Sequence, residues 1–143
     1  MISIAQIAEA VATEINAGTF TPAVTAVRSF RPQFDLKDLS DLKVTVVPKA
    51  IEASPADRSR LQRDCRIDVA VQKRVSATDA SAEMDDLLQL ADDIVAHMAR
   101  RPLADQPAAR WLAVSQKPIY AVDHLEQYSV FTAVIELTYR IVE

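Results

Sequence analysis

The chain has 143 residues, half of them apolar and a quarter charged, with a formal net charge of −4. That is ordinary globular composition for one domain, long enough to bury a core without staples. The acidic total gives no global pull toward nucleic acid, and the single cysteine, Cys65, excludes an internal disulfide or a cysteine-rich zinc site and fits a reducing cytoplasm.

No Lys or Arg precedes Arg28, so no secretory signal is expected, and no apolar run approaches the ~20 residues that span a bilayer. Residues 3–17 read as a helix, because Ile4, Ile7, Ala8, Val11, Ala12 and Ile15 recur at helical spacing. Ser3 and Gln6 make a capping box at its start. Gly18 stands where a helix stop wants a left-handed residue. It is the only glycine, where ~7% usage would give about ten. A P-loop or a dinucleotide fingerprint needs several glycines beside the phosphates, so most nucleotide enzymes are removed.

Residues 20–30 predict a first strand, entered through Pro22 and ended by Arg31-Pro32. Residues 34–42 form a connection that tucks Leu36, Leu39 and Leu42 inward and leaves Asp35, Asp38 and Asp41 in solvent. The three aspartates lack the glycine and closing glutamate of a calcium loop, so they read as a solvated turn. A second strand covers residues 43–47 and stops at Pro48. Residues 49–63 have no clean period and contain Pro55. They read as an extended loop that resumes as a strand near Ser59. The third strand, residues 64–75, points Cys65, Ile67, Val69 and Val71 inward and Arg66, Asp68, Gln72 and Arg74 outward.

Residues 76–81 are a polar hinge with Thr78, Asp79 and Ser81 as possible N-caps. The second helix runs from there to about Arg100, with the stripe Met84, Leu87, Leu88, Ala91, Ile94, Val95 and Met98. Its aspartates precede Arg100 and Arg101, an order that suits the helix dipole. After a linker at residues 103–109, residues 110–114 form a fourth strand that continues past Pro118 to Tyr120, an edge strand on account of that proline. Residues 121–127 make a turn or a short helical turn. Residues 128–142 form the central or longest strand. Phe131, Ala133, Ile135, Leu137, Tyr139 and Ile141 share one parity, and Val130, Thr132, Val134, Glu136, Thr138 and Arg140 the other. The expected fold is α+β in one domain over residues 1–143: a two-layer, mainly antiparallel or mixed sheet of about five strands with two main helices on one face.

Cys65 with His97 or His124 has the residue types of a thiolate–imidazole pair, but the inward parity of Cys65 reads as apolar filler and His97 as a solvated or capping group. Asp123, His124 and Glu126 are the best local grouping for a metal or a base, which defines the alternative of a small metal-dependent hydrolase. Asp85, Asp86, Asp92 and Asp93 do not converge on a helix and read as a solvated face. Arg58, Arg60, Arg63 and Arg66, with Lys73 and Arg74, make the most basic stretch. Without interleaved aromatics to stack bases, it reads first as a contact for a protein partner or another subunit, with nucleic acid second. No catalytic, cofactor or metal set is assigned.

Several segments together resemble the small tail-completion proteins of long-tailed bacteriophages, the tail terminator family. They are Asn16-Ala17-Gly18-Thr19-Phe20, then Arg31-Pro32 with Phe34-Asp35-Leu36, Leu42-Lys43-Val44-Thr45-Val46-Val47-Pro48, Ile67-Asp68-Val69-Ala70-Val71-Gln72-Lys73, and the ending from Val130 to Arg140. The likeness spans most of the chain but not residues 52–60 or 103–109. It implies a structural virion protein, assembled in the bacterial host cytoplasm, that uses no cofactor and no membrane. Such proteins form a hexameric ring on the tail tube, stop its growth and join the tail to the neck. The implied partners are further copies of the chain, the tail tube protein, a neck or head-completion protein, and genomic DNA that passes through unread. Sheet edges, the loop at residues 49–63 and the mixed face of the last strand (Thr132, Glu136, Thr138 and Arg140) would then meet neighbours. A head-completion or connector protein is the alternative within this class.

Overall fold

The computed structural model describes residues 1–30, 39–76 and 80–143. At its centre the strands β3 (Leu61–Arg74) and β5 (Val130–Val142) run antiparallel, paired from Gln62↔Val142 to Arg74↔Val130. This register sets Cys65 opposite Tyr139, Ile67 opposite Leu137 and Val69 opposite Ile135, all fully buried. Cross-strand pairs of large apolar side chains stabilise a sheet, and each fully buried one contributes about 1.5–3 kcal/mol of transfer free energy. β2 (Lys43–Pro55) lies on the free side of β3, and β4 (Arg110–Ser115) on the free side of β5. β1 (Ala26–Arg28) closes the five-stranded order β1-β2-β3-β5-β4.

The helices α1 (Ile4–Ala17) and α2 (Ala80–Met98) cover one face. Ile7, Val11 and Ile15 of α1 and Leu87, Leu90, Ile94 and Met98 of α2 join the β3 and β5 residues in one core. A short α3 (Val122–Tyr128) packs beside the start of β5. The chain is therefore an α+β domain with a mixed sheet, as its periodicities predict. β5 is an inner strand, though β3 is central and one residue longer.

The capping box forms as expected: Gln6 N donates to Ser3 Oγ at 3.2 Å, and Ser3 N to Gln6 Oε1 at 2.8 Å. The expected left-handed glycine does not. Gly18 has φ −80°, ψ 163°, which is extended backbone. What glycine supplies there is space. A Cβ would stand 2.8 Å from Phe20 and 2.9 Å from the His97 ring, whose planes meet edge-on at 5.3 Å. The left-handed positions are instead Arg100 (φ 59°), just past α2, and Ser129 (φ 53°), just past α3.

The first strand is far shorter than residues 20–30, and it pairs in parallel with β2. Asn16 explains how three residues suffice. Its side chain donates to Ala26 O at 3.0 Å and accepts from Ala26 N at 2.7 Å, taking the place of a further strand. Of the connection that follows, Leu39 is buried and Asp41 exposed, as predicted. The readings for Arg31-Pro32, Phe34-Asp35-Leu36 and Asp38, and for Thr78 and Asp79, lie outside the described residues.

Pro48 does not stop β2. The strand runs through it to Pro55, with a register shift between Pro48 and Ala50. Beyond Val46, β2 has β3 on one side only, and an edge with a bulge is where a sheet tolerates a residue without an N–H. The stretch 49–63 is thus no loop but most of a β2–β3 hairpin, and the second arm begins at Leu61 rather than Ser59. Asp57 closes the tip: Oδ1 accepts from Ser59 N and Arg60 N, each at 2.9 Å, and Oδ2 from Arg60 Nε at 2.7 Å. The Ser59 amide first, and Arg60 next, hold the Asp57 carboxyl down at about 2. Every residue from 51 to 60 is exposed. β4 ends at Ser115, short of the predicted Tyr120, and is an edge strand, though Pro118, the reason for expecting one, lies outside it.

Candidate functional site

Outward side chains of β2, β3 and β5 meet on the face opposite α1 and α2. Register alone places Asp64 beside Arg140, Arg66 beside Thr138 and Asp68 beside Glu136. Arg140 grips Asp64 in a two-pronged pair, Nε to Oδ1 at 2.8 Å and Nη2 to Oδ2 at 3.0 Å. That pair holds the Asp64 carboxyl below its ordinary value and raises the arginine. Lys49 bridges Glu136 at 2.6 Å and Asp68 at 3.7 Å, and Arg66 reaches Glu52 at 3.0 Å and Glu136 at 3.9 Å. The Glu136 hydrogen bond raises Lys49. Asp68 goes the other way from Asp64: burial pushes its carboxyl up, although Lys49 pulls it down. The pairing sets three cations, Lys49, Arg66 and Arg140, among four carboxylates, Glu52, Asp64, Asp68 and Glu136, on this face.

The predicted interface residues separate on this geometry. Arg66, Glu136 and Arg140 share the open face but already have partners within the chain, and Thr138 stands half-buried among them. Thr132 is 5% exposed, and its hydroxyl meets His124 Nδ1 at 2.9 Å, so it is no surface group. Arg63 is the clearest correction. It pairs with Ile141 on the apolar parity, is 8% exposed, and donates to the Ile2 carbonyl and to Glu143. Placing residues 49–63 in a loop hid that parity. Arg58 and Arg60 sit exposed at the hairpin tip, and Arg74 at the far end of β3. Fourteen residues of strand separate Arg60 from Arg74, about 45 Å at ~3.3 Å per residue. The basic stretch is one run in sequence but no single patch in space.

Cys65 is fully buried, and burial pushes its thiol up, away from the thiolate a nucleophile needs. His97 takes the capping role: its Nε2 meets the carbonyl of Glu14, in the last turn of α1, at 2.8 Å. Asp123, His124 and Glu126 all lie exposed on α3. Among the described residues, no group of three His, Cys, Asp or Glu side chains stands close enough to hold a metal ion. Asp85, Asp86, Asp92 and Asp93 are all exposed, as a solvated face requires.

Glu14 is the polar centre that the sequence reading missed. It is buried, accepts from Ala104 N at 3.0 Å and meets Arg101 Nη1 at 3.5 Å, while Arg101 Nε holds the His97 carbonyl at 2.8 Å. Burial and the Glu14 charge together push the Tyr139 phenol far above its usual range. The signal was present: Glu14 falls between Val11 and Ile15 on the apolar stripe of α1.

No family model and no curated protein matches the chain. Among the described residues, no helix is long and apolar enough to cross a membrane.

Proposed function

We infer that this chain is a structural virion protein that assembles as a ring on a phage tail tube, stops its growth and joins the tail to the neck. The observation that carries this reading is the β2–β3 hairpin, whose residues 51–60 are all exposed. Its arms stay within the sheet, β3 pairing with β5 out to Gln62↔Val142, so that only residues 56–60 lie beyond the strand pairing. The hairpin also carries Ile51 at 45% and Leu61 at 38% exposure, apolar groups that gain free energy when a neighbour covers them. Such an arm fits contact with the next subunit or with the tube. The ion-paired sheet face supports the same reading, since it offers shape and paired charge. The sequence likeness to tail terminators supplies the assignment to the tail, and DNA would pass through the ring without base readout.

Electron microscopy of the purified protein mixed with tail tubes tests this. The expected image is a six-fold ring on tubes of arrested length. Replacing residues 56–60 by a tight Asn-Gly turn is expected to leave the fold intact and to abolish capping. A chain that stays monomeric at high concentration and ignores supplied tubes overturns the reading. A ring with another subunit number moves the chain to the head-completion class.

A further inference from the structure

Past the C-terminal end of α2, Arg100, Arg101 and Arg110 line an open pocket of about 280 Å³ with Trp111 and two prolines. Arg101 is spoken for by Glu14. Arg100 and Arg110 are exposed and pair with no carboxylate among the described residues. A helix C-terminus carries about half a negative charge. That half charge and Glu14 together leave about half of the three arginines' positive charge unanswered. Trp111 adds a flat apolar floor beside the cations.

The opposite charge stands on the same helix. Asp85, Asp86, Asp92 and Asp93 are exposed and make no ion pair among the described residues. Asp85 and Asp92 are seven residues apart, as are Asp86 and Asp93, so each pair spans two turns, about 10 Å. Asp85 and Asp86 lie about 20 Å along the helix from Arg100, and Asp92 and Asp93 about 10–12 Å, all beyond the ~8 Å screening length at physiological salt. One copy therefore leaves its acidic helix flank and its arginine pocket largely uncompensated, with no ion pair between the two among the described residues.

We propose that the arginine pocket of one copy receives the acidic α2 flank of the next. A contact between two different patches is heterologous, and repeating it by rotation closes a ring. The occupant is another copy of this chain because the matching charge is on the chain itself. This inference rests on the ring reading above and names the contact that would build the ring.

The test is a pair of charge reversals followed by sedimentation velocity, with circular dichroism confirming that each variant folds. Arg100→Glu with Arg110→Glu is expected to weaken self-association at least tenfold, and so is Asp92→Lys with Asp93→Lys. Mixing the two variants restores assembly, because each reversed pocket meets a reversed flank and each native pocket a native flank. The mixed particle then alternates the two chains and holds an even number of subunits. High salt dissociates the wild type in the same way. Variants that assemble like the wild type, or that stay apart when mixed, overturn this contact and leave the ring reading standing. A wild-type chain that assembles neither alone nor on tail tubes overturns both.

Discussion

Asn16 holds Ala26 by both of its backbone groups, through Nδ2 to the carbonyl at 3.0 Å and from the amide to Oδ1 at 2.7 Å. A side chain at the end of α1 thereby acts as the missing neighbour of an edge strand. It blocks at that residue the pairing that an open sheet edge invites. Ala26 is buried, so losing this partner strands two polar groups. Asn16→Ala is expected to lower stability by about 2–3 kcal/mol, read from urea midpoints. Asn16→Asp, which keeps the acceptor and loses the donor, falls between the two.

Glycine and left-handed backbone have parted company in this chain, and two substitutions separate their effects. Gly18→Ala is sterically allowed by its extended backbone but drives a methyl into Phe20 and His97. It is expected to destabilise by about 1–3 kcal/mol, as overpacking does. Ser129→Gly relieves a left-handed non-glycine residue at φ 53°. Relief of about 1–2 kcal/mol of strain, less the added freedom of the unfolded chain, leaves a gain of about 0.5 kcal/mol or more. Thermal melts with opposite signs for the two variants check this pair.

Asp64 and Asp68 sit on one strand face with opposite pH signatures. The folded Asp64 carboxyl lies below its unfolded value of ~3.9. Its contribution is present above about pH 4 and is lost as pH falls through the folded value. Asp64→Asn therefore lowers stability at pH 7 and flattens the acid limb of the curve. The folded Asp68 carboxyl lies above ~3.9. Its favourable contribution exists only below that value and is lost as pH rises through the folded one. Asp68→Asn is expected to raise stability at pH 7. Urea midpoints at pH 3.5 and 7 decide, and a loss at pH 7 for Asp68→Asn contradicts the assignment.

The hairpin tip is expected to open independently of the core. Asp57→Ala removes the acceptor for the Ser59 and Arg60 amides, while every residue from 51 to 60 is exposed. Hydrogen exchange at those two amides is expected to quicken with the melting temperature nearly unchanged. Because Asp57 titrates at about 2, amide shifts at Ser59 and Arg60 in the wild type hold down to about pH 3.

Cys65 gives a simple check on the core. Buried opposite Tyr139, its thiol is expected to ignore a thiol reagent in the native state and to react fully in denaturant. Rapid labelling of native protein would show that the β3–β5 pairing is wrong.

Local pattern alone determined much of this molecule. The alternation of β5, the stripe of α2 and the capping box of α1 all follow from side-chain period and residue type, which act over a few neighbours. The solvated aspartates of α2 were legible for the same reason, whereas the cap that His97 places on α1 reaches a carbonyl 83 residues away. Pairing across the chain decided the rest. Only the β3 register brings Arg140 to Asp64, turns Arg63 inward and makes a hairpin of residues 49–63. Only the free side of β2 admits Pro48. Only the approach of Phe20 and His97 explains Gly18. A parity says which residues share a face. It does not say which strand lies alongside, and that choice fixes every ion pair and every tight contact described above.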